Sequence, residues 1–242
     1  MESNAPSPPR IIITCAQAAA QLGGQLDECI GCMPFQGARY TTMTLTAALG
    51  PIKRIWMGAP RPASPPDSLF MADVLQQACA HPLAGSVGLG IRRTCGSFGN
   101  HGVLSGCGIP CIKFFVNGKL VFVGVKDFAE ASKTIAVLCG ILGDVLGAAV
   151  ALRDLSPCMV NCGFSAGAVS RHAIREAAER VGLSASWNGG YAGVVLRPAG
   201  GGSVMMLESG WTMLSGRTPG RVLELGAFLR SFLDAHDVAA AQ

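Results

Sequence analysis

Residues 112–126 read IKFFVNGKLVFVGVK and residues 204–217 read VMMLESGWTMLSGR. Each is an apolar run, a short polar pair ending in glycine, a second apolar run and a further glycine six residues on. Gly118 and Gly210 stand 92 positions apart, and so do Gly124 and Gly216. Alternation with period 2 makes each run a strand. Asn117-Gly118 is a tight-turn signal because both residues tolerate positive φ. A chain that writes one hairpin twice is built from two similar units, and this period is too long for a solenoid.

The elements around the hairpins repeat in the same order. ARYTTMTLTAAL (38–49) is a strand, with threonines alternating with Met43 and Leu45. The helix DSLFMADVLQQACA follows, capped by Asp67 or Ser68 and stopped by His81-Pro82. SFGNHGVLS (97–105) is the next strand, then the first hairpin, then helix 127–146 with Asp127 as its cap. The second half runs strand 157–164, helix 168–182, strand 190–197, hairpin and helix 219–236. Each half therefore reads strand, helix, three strands, helix. The organisation expected is an N-terminal tail and extension (1–37), a first repeat (38–150) with insertions near 50–66 and 83–96, and a second repeat (151–242). Helices on one side of an antiparallel sheet make an α+β layer architecture and leave the other face free for solvent or a ligand.

Composition narrows the class. Half the residues are hydrophobic and 14% are charged, which argues against disorder. A net charge of +4 permits an acidic partner without demanding one. MESNAPSPPR lacks the basic start of a secretory signal. The apolar stretch 134–152 carries Asp144 at its middle and reads as a helix buried on a sheet, not as a membrane span. The ten cysteines are expected to be free thiols. Cys29-x2-Cys32, Cys107-x3-Cys111 and Cys158-x3-Cys162 are too irregular for a zinc knuckle, so no metal or other cofactor is expected. His81, His101, His172 and His236 offer no spacing for a triad or metal, and the chain is not read as an enzyme.

FFVNGKLVFVGVK followed by an acid-capped helix resembles the hairpin and second helix of the TATA-box-binding protein (TBP) family, and LESGWTMLSGR resembles the same element in that family's second repeat. ARYTTMTLTAAL and SFGNHGVLSG look closest to TBP-like factors of large nucleocytoplasmic DNA viruses. The resemblance covers about residues 38–236. It implies a pseudo-twofold saddle: a curved antiparallel sheet, helices on the convex face, and a concave face that sits on the minor groove of DNA and presses apolar wedges into base steps.

The resemblance also implies site residues. Phe115 matches the wedge before the first turn, and Phe98 its partner 17 residues earlier. Leu207 and Tyr191 fall at the matching places of the second repeat. Val123 and Ser215 match the position near the centre of the groove floor. Asn161 matches the central asparagine, which would contact base acceptors. Arg197 matches a phosphate-facing arginine. Lys113 and Lys119 share the face of Phe115 by period-2 counting, within reach of phosphates. Ala38 falls where the first repeat of the family has its asparagine, Trp211 stands where the first repeat has Lys119, and SASWNGGY lacks the glutamates that engage another initiation factor.

The function expected is that of a transcription initiation factor. It would bind promoter DNA in the minor groove and assemble with a TFIIB-like factor and RNA polymerase, inside the cell, in a host nucleus or a viral factory if viral. The alternative is a protein that keeps the saddle for protein contacts and has lost TATA binding.

Overall fold

A computed structural model of the chain describes residues 15–50, 52, 55–58, 64, 69–95, 99–147, 151–187 and 193–236. In chain order come α1 (Cys15–Gly31), β1 (Arg39–Gly50), a short parallel pair β2 (Ile55–Trp56) and β3 (Leu69–Phe70), α2 (Met71–Ala80) and a 3-10 turn (Ala84–Val87). Then follow β4 (Gly90–Arg93), β5 (His101–Gly106), β6 (Ile109–Phe115), β7 (Lys119–Val125) and α3 (Phe128–Leu146). The rest is β8 (Ala151–Ser165), α4 (Arg171–Arg180), β9 (Ser184–Ser186), β10 (Gly193–Arg197), β11 (Ser203–Leu207), β12 (Trp211–Gly216) and α5 (Pro219–His236).

Ten strands form one antiparallel sheet in the order β4-β5-β6-β7-β1-β8-β12-β11-β10-β9. The long strands β1 and β8 pair at its middle, and two series of four strands run outward from them. Alternation sorts the side chains. Met43, Leu45, Ile112, Phe114, Leu120, Phe122, Val160, Cys162, Phe164, Val204, Met206 and Leu214 are buried in one core under the helices. The residues between them project from the opposite face.

Both hairpin turns close with the same bond. The Gly118 N–H donates to the Phe115 carbonyl and the Gly210 N–H to the Leu207 carbonyl, each at 2.9 Å. Gly118 and Gly210 have φ of 81° and 87°, where a Cβ would be strained. The second glycine of each pair has a different reason. Gly124 is at φ 78°, whereas a Cβ on Gly216 would stand 3.1 Å from the Val222 N under α5.

The structure corrects several expectations. Each side of the sheet has four outer strands, not three, because β4 and β9 form its edges. Residues 15–31 are a helix, within the stretch expected only to be an N-terminal tail and extension. Its Leu22, Leu26 and Cys29 are buried, and it packs on α3, α5 and β8. The Cys29 thiol donates to the Pro219 carbonyl at 3.0 Å, Tyr40 Oη to the Leu26 carbonyl at 2.8 Å, and Arg230 Nη2 to the Pro34 carbonyl at 3.0 Å. Phe35 stacks on Phe164 with ring centroids 4.2 Å apart. Helix α2 starts behind Phe70 with no side-chain cap at that residue; Asp67 and Ser68 lie outside the described residues. Helix α4 is shorter than expected and is capped by Ser170, while Asp127 caps α3 by accepting from the Glu130 N–H at 3.0 Å. Among the described residues no helix is long and apolar enough to cross a membrane.

Candidate nucleic-acid interface

The face opposite the helices carries the described residues among those singled out from the sequence. On β6 and β7 it presents Cys111, Lys113, Phe115, Lys119, Val121 and Val123, all partly or fully exposed, while Ile112, Phe114, Leu120 and Phe122 between them are buried. Val123 pairs with Cys111 on one side and Thr44 on the other, and Lys113 pairs with Val121. On β11 and β12 the same face presents Ser203, Met205, Leu207, Trp211, Met213 and Ser215. Arg197 ends β10 at the rim, and its Nη1 donates to Ser186 Oγ on β9 at 2.6 Å. None of these residues is acidic.

Phe115 leans on His101, its cross-strand partner, with ring centroids 4.8 Å apart. His101 is buried, and its Nδ1 lies 3.0 Å from Asn100 Oδ1. Burial, with Lys113 nearby, lowers its pKa below the ordinary 6.5. The imidazole is therefore a neutral platform under a half-exposed phenyl ring. Phe115 and Leu207 occupy the same turn position in their hairpins, the one whose carbonyl accepts from the glycine N–H. Their sequence partners, Phe98 and Tyr191, lie outside the described residues.

Asn161 sits at the middle of the sheet. It pairs with Thr42 on β1 and with Ser215 on β12, so the structure brings Asn161 and Ser215 side by side. Its Nδ2 donates to Thr42 Oγ1 at 2.8 Å. The corresponding place on β1 is not Ala38, which precedes the strand. Ser215 pairs with Asn161, and Val123, its counterpart in the first hairpin, pairs with Thr44. Bulges in β1 shift this register, which spacing alone does not show.

Several residues of this face escaped the sequence reading: Thr42, Thr44, His101, Met159 and Met213. Their signal was the period-2 alternation of β1, β5, β8 and β12. A different cluster lies at the end of β9, where Arg171 Cζ stands 5.0 Å from the ring centre of Trp187 and Arg171 Nε 2.6 Å from Glu208 Oε1. Among the described residues no three His, Cys, Asp or Glu side chains come together as metal ligands.

No protein family matches the chain, and no curated protein does. Among solved structures it is similar to Methanococcus jannaschii TBP, with 13% identity, a TM-score of 0.52, and coverage of 84% of this chain and 99% of that one. A heterotetrameric sarcosine oxidase from Corynebacterium sp. U-96 in complex with pyrrole 2-carboxylate matches at a TM-score of 0.29, too low to carry an argument. The chain has a TBP-like fold: a large antiparallel sheet with helices on one face.

Proposed function

We propose that this chain binds double-stranded promoter DNA in the minor groove and nucleates a transcription initiation complex with a TFIIB-like factor and RNA polymerase. In this reading the two series of strands are copies of one unit about a pseudo-twofold axis, and the sheet is a saddle whose open face meets DNA. The observation that carries the reading is the open face itself. It is largely apolar, holds Lys113, Lys119 and Arg197, and sets Phe115 and Leu207 at the same turn position of its two hairpins. An apolar face can lie on the floor of a widened minor groove, and apolar side chains at the hairpin turns can wedge between base steps. In this reading the target is a promoter of a large DNA virus.

Fluorescence-transfer bending of a short A·T-rich duplex tests the proposal. Binding should shorten the end-to-end distance and weaken steeply with salt, as displaced counterions require. Each phosphate contact adds about 0.9 to the salt slope, so the three basic residues account for a slope of about −3. Binding with neither bending nor salt dependence would overturn the proposal.

Trp211, which takes in the second hairpin the place that Lys119 has in the first, favours a second reading, in which the saddle takes a protein partner. Such a surface need not show counterion release, and the same salt titration separates the two.

A further inference from the structure

We infer that the open face reads the exocyclic amine of a guanine at the base step over Asn161, an inference that rests on the minor-groove reading above. Asn161 Oδ1 is, among the described residues, the buried side-chain oxygen or nitrogen with no hydrogen-bond partner. The residue is 7% exposed. Its other polar groups are engaged: Nδ2 donates to Thr42 Oγ1 at 2.8 Å, and its carbonyl accepts from Thr41 Oγ1 at 3.3 Å. Val160 and Cys162 on either side are fully buried under the helices, so the Asn161 side chain leaves the strand toward the open face. It is bordered there by Met159, Gly163, Ser215 and Thr42. Met159 is 41% exposed, and an unbranched thioether moves aside easily for a ligand pressed onto the face.

A buried acceptor without a donor costs free energy, which a ligand recovers by supplying one. The minor-groove floor presents acceptors at every base pair and a single donor, the N2 amine of guanine. A lone acceptor there favours G·C at one step and disfavours A·T, whose acceptors would face it. Thr44, at the matching place on β1, has a hydroxyl that donates as readily as it accepts. The discrimination is therefore one-sided and gives the complex a direction on DNA. Turned over, the Asn161 amide would present N–H donors instead and favour A·T, so the two orientations make opposite predictions.

The test walks a single G·C pair through each step of a short A·T-rich duplex and compares it with inosine·C at the same step. Inosine removes only the N2 amine. Affinities of the full chain are read by fluorescence anisotropy at one low salt concentration. The expected result is one off-centre step at which guanine binds about fivefold to tenfold tighter than inosine or A·T. Asn161→Ala should erase that ratio and keep its circular dichroism and melting transition. The wild-type comparison needs no variant and stands if Asn161→Ala fails to fold. Equal binding of guanine and inosine at every step overturns the inference, as does a preference for A·T at every step. Failure to bind any duplex overturns the minor-groove reading, and the inference falls with it.

Discussion

Trp211 packs over Gly163 so closely that a Cβ added to Gly163 would stand 2.5 Å from Trp211 Cζ2 and 2.8 Å from Thr41 Cγ2. The absence of a side chain at 163 is what lets the indole lie on the open face beside Asn161. Gly163→Ala should therefore destabilise the protein by about 1–3 kcal/mol through overpacking and move Trp211. Denaturant unfolding and near-ultraviolet circular dichroism read both effects. An unchanged midpoint would show that Trp211 is not held there.

Phe115 is half-buried and rests on His101 instead of filling the core. Phe115→Ala should reduce DNA bending severely while costing only about 1–2 kcal/mol of stability, the loss of one aromatic contact and part of a ring's burial. Bending by fluorescence transfer and chemical unfolding make the comparison. Loss of stability on the scale of a core phenylalanine would remove Phe115 from the interface.

Leu26 is buried on α1, the helix that packs on α3, α5 and β8. Leu26→Ala should cost about 2–5 kcal/mol, as buried leucines do. It lies on the far side of the sheet from the open face, so DNA affinity of the folded variant should match the parent. Urea melts and anisotropy titrations on the same preparations check this.

The folded state binds a proton on His101 less readily than the unfolded chain does, because burial and Lys113 lower its pKa below 6.5. Between the lowered value and 6.5 the unfolded state holds more protons, so stability should rise with pH through that window and level off above 6.5. His101→Gln should lack that contribution. Denaturation midpoints across the window, parent against variant, test the sign. A parent that gains nothing there would show that His101 titrates normally.

The hairpins and the helices behind them were legible because a turn dipeptide and period-2 alternation are local signals. That Asn161 and Ser215 lie side by side was not legible, because the pairing of β8 with β12 is not a local signal. Nor was the place of Thr44, since the bulges of β1 shift its partners by an amount set only by pairing. Strands β4 and β9 were hidden by their length, four and three residues, and by a polar or basic make-up suited to sheet edges. Helix α1 was hidden because Gly23 and Gly24, poor helix formers, interrupt its middle, although Ala19, Leu22, Leu26 and Cys29 have the spacing of one helix face.

The seating of α1 has a consequence for how the chain is made. Its partners include α5, and the Cys29 thiol meets a carbonyl 190 residues further along. During vectorial synthesis α1 leaves the ribosome long before α5 exists. Its apolar face can meet α3 and β8 first, but is not fully covered until α5 has emerged. Docking then closes a loop that encloses both series of strands, and the first and last described helices become the clasp that makes one cooperative body of the sheet.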